Sequence, residues 1–165
     1  MAQPHGIRIE VDEFTGDSSL VSDWVKFNDP VWKSGPLCHF TLIKSEDQIA
    51  LGVKVTSKDQ VALVEEGADL MILTGKGTLV TLQALSNEVA SIGGGSIGLR
   101  SSSVWGLTIL YGIDLERMQQ IADEGIAKVR VYTSDRLIEV EPEKDKWARD
   151  VQSLFVTFAK FLEAV

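Results

Sequence analysis

Hydrophobic and polar residues alternate along most of this chain with the two-residue period of strands. Ile7, Ile9 and Val11 alternate with Arg8, Glu10 and Asp12, which predicts a half-buried strand with one wet face. A turn at Thr15-Gly16-Asp17 follows, and Leu20 to Phe27 again carries strand-forming residues. Asn28-Asp29-Pro30 and Ser34-Gly35-Pro36 bracket a loop that holds Trp32. Cys38 to Ile43 and Ile49 to Val55, separated by the polar stretch Lys44 to Gln48, predict a hairpin. A second hairpin is predicted from Leu70 to Leu73 and Thr78 to Leu82, around the glycine-containing turn Thr74-Gly75-Lys76-Gly77. Val89 to Ile92 and Val104 to Tyr111 predict a third, bulged pair.

Two segments change period. Asp114 stands as an N-cap before Leu115, Met118, Ile121 and Ala122, with Gly125 placed to stop the helix. From Glu143 onward, just past Pro142, the residues Trp147, Val151, Leu154, Phe155, Phe158 and Leu162 form one apolar stripe opposite Arg149, Gln152, Lys160 and Glu163. A stripe of this kind packs on a sheet, and Trp147, its first member, is expected to bury its ring there. A partner-binding helix is the alternative reading of the same stripe.

Between the two helices lies a hairpin whose register the charges predict. Val129 and Val131 alternate with Lys128, Arg130 and Tyr132, and Ile138 and Val140 alternate with Leu137, Glu139 and Glu141. A two-residue turn at Ser134-Asp135 sets Arg130 opposite Glu139 and Lys128 opposite Glu141. Exposed pairs of this kind contribute about 0.2–1 kcal/mol each, so they fix register more than they stabilise.

Together these elements predict an α+β chain that is mainly β and forms a single domain over residues 1–165. About ten strands make a sandwich or a strongly curved antiparallel sheet, with a short helix and a C-terminal helix packed on it. A pleckstrin-like barrel capped by the C-terminal helix is the alternative. At 165 residues, 44% hydrophobic and with four Trp and six Phe, the chain can bury a full core.

Composition narrows the function more than it identifies one. The net charge of −8, with no dense run of Lys and Arg, argues against nucleic acid and anionic membrane as partners. No stretch approaches the length of a membrane span, and Met1 to Phe14 lacks the basic and apolar regions of a secretory signal. The single cysteine, Cys38, suits a reducing compartment, so the expectation is a cytoplasmic protein.

Candidate chemistry is sparse. Gly94-Gly95-Ser96-Ile97-Gly98 fits G-x-S-x-G, and Gly93, Gly95 and Gly98 fit G-x-G-x-x-G. Both patterns need a helix to follow, whereas Ser101 to Tyr111 reads as strand, and both histidines, His5 and His39, lie upstream. Gly75-Lys76 resembles the end of a phosphate-binding loop, but Leu70 stands where its first glycine belongs. Cys38 and His39 are adjacent on a strand and point to opposite faces, so they form no catalytic pair. His5 falls in an expected frayed terminus. One Cys and two His assemble no zinc ligand set, and the carboxylates show no calcium-loop spacing. No catalytic residue, metal or cofactor is expected, and the reading leans away from an enzyme.

Two features remain. Between Leu70 and Ile113 only Lys76, Glu88 and Arg100 are charged, so this segment is either mostly buried or part of an interface between copies of the chain. Within it, Arg100 stands in the glycine-loosened loop 93–103 among Ser96, Ser101, Ser102 and Ser103. Serine hydroxyls, exposed backbone N–H groups and a guanidinium suit a small anion, so Ser96, Arg100 and Ser102 are the ligand-binding candidates. A mobile loop whose arginine pairs with a nearby acid is the simpler reading.

Tyr111-Gly-Ile-Asp-Leu-Glu-Arg-Met-Gln-Gln-Ile, followed by Val129-Arg130-Val131, resembles the C-terminal part of small uncharacterised bacterial β-rich proteins. Leu73-Thr-Gly-Lys-Gly-Thr-Leu-Val-Thr-Leu82 resembles their central hairpin, with Thr74 where an acidic residue is expected. The resemblance implies a bacterial β-rich fold and no particular activity. The functional expectation is a non-enzymatic binding or assembly module that pairs with itself through residues 70–113. The alternative is a small-molecule-binding protein or enzyme with a pocket near loop 93–103.

Overall fold

From the N-terminus the alternating segments fold into β1 (Arg8–Val11), β2 (Ser18–Val21), β3 (Val25–Asn28), β4 (Cys38–Ser45), β5 (Gln48–Lys58) and β6 (Leu63–Val64). They continue through β7 (Asp69–Thr74), β8 (Leu79–Ala84), β9 (Glu88–Val89), β10 (Ser91–Ile92) and β11 (Trp105–Ile113). The chain ends with α1 (Leu115–Glu124), β12 (Ile126–Tyr132), β13 (Leu137–Val140) and α2 (Asp145–Ala164). The computed structural model describes residues 6–30, 35–58 and 62–164. His5 and Trp32 lie outside them.

Eleven strands join in one antiparallel sheet, ordered β1-β2-β4-β5-β11-β8-β7-β12-β13, with β3 also on β4 and β10 on β11; β6 and β9 pair separately. The fold is therefore α+β and mainly β, a large antiparallel sheet with two helices as expected, and the sheet is not closed, which sets aside the barrel. Helix α2 packs against β3 and β4 and also against β12, strands far apart in the order, so the sheet curls around it.

Local patterning accounts for the hairpins. In β7 and β8 the exposed and buried positions alternate strictly, with Leu70, Ile72, Val80 and Leu82 inward. The register of β12 and β13 sets Arg130 opposite Glu139, and Lys128 Nζ lies 3.0 Å from Glu141, as the charges predict. Val129, Val131 and Val140 face the core beneath them. Asp114 caps α1 by accepting from the Arg117 amide at 2.8 Å, and Gly125 closes it at φ 73°.

Three local expectations need correction. Leu20 to Phe27 is two strands rather than one, because the chain turns at Ser22-Asp23-Trp24. There the buried Ser22 hydroxyl takes the Leu42 amide, at 2.9 Å, that a continuous strand would have paired. Residues 89–92 split: β9 leaves for β6, and only Ser91 and Ile92 pair with the start of β11. Trp147 is half-buried rather than sunk in the core. The ammonium groups of Lys26 and Lys144 lie over its ring, 5.4 and 5.2 Å from its centroid. The first turn of α2 thus rides at the rim of the sheet, and Val151, Leu154, Phe155 and Phe158 further along are fully buried.

The anchoring load moves with them. Phe155→Ala should cost about 3–5 kcal/mol, the range for a large buried aromatic. Trp147→Ala should cost clearly less, because its ring keeps water on one side. Urea denaturation of both variants measures the order, and an equal or larger loss for Trp147→Ala would contradict it.

Candidate interaction surface

The loop after β10 is tightly built. Gly95 is buried, and a Cβ there would stand 2.6 Å from the Val55 carbonyl; one on Gly94 would stand 2.4 Å from the Gly106 carbonyl. The Thr108 hydroxyl donates to the Gly94 carbonyl at 2.6 Å. The glycines allow backbone to lie on backbone over β5 and β11, so at Gly94 and Gly95 their role is close approach rather than flexibility. Residues 96–104 run through turns into β11, without the helix that either glycine pattern requires.

Two of the three candidate ligand residues lie near Gly93 in this loop. The Ser96 hydroxyl donates to the Gly93 carbonyl at 2.7 Å, and a Cβ on Gly93 would stand 3.1 Å from the Ser102 carbonyl. Arg100 turns away. Its Nε and Nη2 donate to Asp29 Oδ1 at 3.0 and 2.6 Å, tying the loop to the end of β3.

Beside this tie lies the most perturbed titratable group on the outer face. His39 of β4 stands between Lys26 of β3 and Lys54 of β5, its cross-strand neighbours, with Asp29 close by. It is buried, and its Nδ1 has no hydrogen-bond partner among the described residues. Burial first, and then the two ammonium groups, push its pKa down to about 4 against the partial counterpull of Asp29. Cys38 leaves the strand on the opposite face, where complete burial raises its thiol far above the usual range, so it is no nucleophile at neutral pH. Among the described residues no group of three or more His, Cys, Asp or Glu is arranged to hold a metal. None of the described helices is long and apolar enough to cross a membrane.

The charge-poor segment explains itself by having two different faces. Inward, Leu70, Ile72, Val80, Leu82, Leu107, Ile109, Tyr111 and Ile113 are core. Outward, the segment holds Leu73, Leu79, Leu85, Val89, Ile92, Leu99 and Leu110, seven of the twelve large apolar side chains exposed among the described residues. Burial alone would have left polar residues at those outward positions.

Two of them lie on the open face of β7 and β8, next to β12. Leu73 and Leu79 are cross-strand partners, 39% and 58% exposed, and Met71 pairs with Thr81 beside them. Next to them on β12 the charges are already neutralised within the sheet. Arg130 binds Glu139 through its Nε and Nη2, and Lys128 bridges Glu139 and Glu141 at 3.4 and 3.0 Å. The Tyr132 hydroxyl reaches Met71 Sδ at 3.6 Å and closes the patch at that end. Sequence reading found the segment by its lack of charge. The contribution of β12 was missed, because its pairing with β7 spans α1. No family model, curated protein or solved structure matches this chain.

The His39 site yields a pH test. With a folded pKa of about 4 against an ordinary 6.5, the unfolded chain takes up a proton before the folded one does. The stability associated with neutral His39 is therefore full above pH 6.5 and lost as pH falls toward 4. Thermal melts across that window should show a steeper decline for the native chain than for His39→Leu; parallel curves would contradict the assignment.

Proposed function

We propose that this protein is a non-enzymatic binding and assembly module that associates with a second copy of itself through the open face of β7, β8 and β12. The observation that carries this reading is the exposed Leu73–Leu79 pair with Met71 beside it, next to charges of β12 that are paired with Glu139 and Glu141. In water such a patch is an unsatisfied hydrophobic surface, and contiguous patches of this kind mark interaction sites. A second copy is a suitable occupant because the patch carries no net field to repel itself. Its apolar centre meets an identical centre, and the flanking Lys128, Arg130, Glu139 and Glu141 alternate in sign.

A pocket at loop 93–103 is the weaker reading. The Arg100 guanidinium and the Ser96 hydroxyl that would recognise an anion there are engaged by Asp29 and Gly93.

The test is mass in solution as a function of concentration. Light scattering should show the native chain associating as concentration rises. Leu79→Asp should reduce that association while leaving the melting temperature nearly unchanged, since the side chain is exposed. A chain that stays monomeric at the highest attainable concentration, or a Leu79→Asp variant that associates as the native chain does, would overturn the proposal.

A further inference from the structure

The two ends of the large sheet are built differently. At one end β13 is followed by Glu141 and Pro142, and its neighbours carry paired charges, the usual guard against unwanted strand addition. At the other end β1, four residues long like β13, has no strand on its outer side among the described residues. All four of its residues are exposed, with Ile9 and Val11 70% and 60% accessible. Ile9 sits beside Leu20 and Leu162, so the apolar side of β1 continues onto β2 and the end of α2.

We propose that β1 is a second self-association site, at which two copies pair their β1 strands antiparallel about a two-fold axis through Ile9. The charges select this register. Centred on Ile9, the dyad sets Arg8 opposite Glu10 of the other copy, twice, with Ile9 against Ile9 between them and Ile7 opposite Val11 outside. Centred on Glu10, it would set two glutamates face to face, which is destabilising. Centred between residues, it would place Ile9 beside Glu10 and mix the apolar and charged faces. Within one copy Arg8 already pairs with Asp23 and Glu10, its Nη1 2.8 Å from Asp23 Oδ1 and its Nε 3.0 Å from Glu10 Oε1, so the dyad extends an existing row of charges rather than neutralising free ones. Pairing across the dyad therefore assembles alternating charges on one face and a continuous Ile9 seam on the other. The ladder is short, so the association is weak and concentration-dependent.

This inference does not rest on the β7–β8 face, and the experiment separates the two. Ile9→Cys places thiols against each other across the dyad, whereas Val11→Cys and the fully exposed Phe14→Cys do not; the native Cys38 is buried and silent. Under mild oxidation by glutathione disulfide, Ile9→Cys should form a cross-linked dimer at least roughly tenfold faster than either control, through the raised effective concentration of the two thiols. Adding Glu10→Lys, which sets Lys opposite Arg8, should bring the rate down to the control level, and adding Leu79→Asp should leave it unchanged. Equal rates for Ile9→Cys and Phe14→Cys would overturn the pairing, and a rate insensitive to Glu10→Lys would overturn its register.

Discussion

Strand β11 is the part on which the rest of the molecule hangs. It pairs with β5 along its whole length, takes β10 at its start, and at its end meets β8 through only two residue pairs, Tyr111 with Ala84 and Gly112 with Gln83. Among the described residues that seam, continued by the Leu85 amide donating to the Leu110 carbonyl at 2.9 Å, is the one ladder joining the half of the sheet that holds β1 to β5 with the half that holds β7, β8, β12 and β13. Tyr111 lies at the seam, fully buried, with its hydroxyl lacking a partner among the described residues. A polar atom carried there at a cost is consistent with a ring whose area is needed to fill the joint.

A two-pair seam would open easily without support from outside the sheet, and α1 supplies it. The helix begins directly after β11, so its position is set by the seam, and it packs on α2. Its far end is fixed to the β7–β8 turn. Glu124 accepts from the hydroxyls of Thr74 and Thr78 at 3.0 and 2.7 Å, and Gly75 lies so close that a Cβ would stand 2.5 Å from the Glu124 carbonyl. Gln152 of α2 donates to the Ala122 carbonyl at 3.0 Å, occupying an acceptor that the helix end leaves free. The two helices therefore hold from the inside what the strands join only narrowly. Both sheet halves can then present their outer surfaces as rigid faces.

How much of this was legible in the sequence follows from the range of each interaction. Hairpins β4–β5, β7–β8 and β12–β13 were readable, because partner residues lie a few positions apart and their alternation is itself the pairing rule. The α1 caps at Asp114 and Gly125 were readable for the same reason. The pairing of β11 with β5 was not, since some fifty residues separate partners such as Ile109 and Val53 and no local pattern encodes that choice. The glycines at 93–95 misled for a related reason. Glycine in a sequence signals permissiveness, and only the tertiary approach of Val55 and Gly106 shows that contact is what it permits. Trp147 obeyed the helical period, yet periodicity gives a direction around the helix and says nothing of where along it the sheet ends. For the candidate surface, the absence of charge was visible in residues 70–113, but its inward and outward shares could be divided only once the strands were placed.

The outer surface of the sheet shows where polar character has been conceded. On β12 and β13 every outward charge has an opposite charge within reach. Toward β7 and β8 the outward positions become Met71, Leu73, Thr81 and Leu79, and at β1 they become Ile9 and Val11. A domain with a net charge of −8 has ample acidic residues with which to cover these places, and instead gathers them elsewhere. Asp12, Asp17, Glu46, Asp47 and Asp114 line a groove between the β1–β2 end, the β4–β5 turn and the start of α1, and Arg117 lines it with them. Like charges so gathered repel one another, and the same charges spread over β7, β8 and β1 would have kept those surfaces wet. The distribution thus costs electrostatic energy in one region while leaving hydrophobic surface bare in two others, a pattern that folding alone does not require and that contact with other molecules would explain.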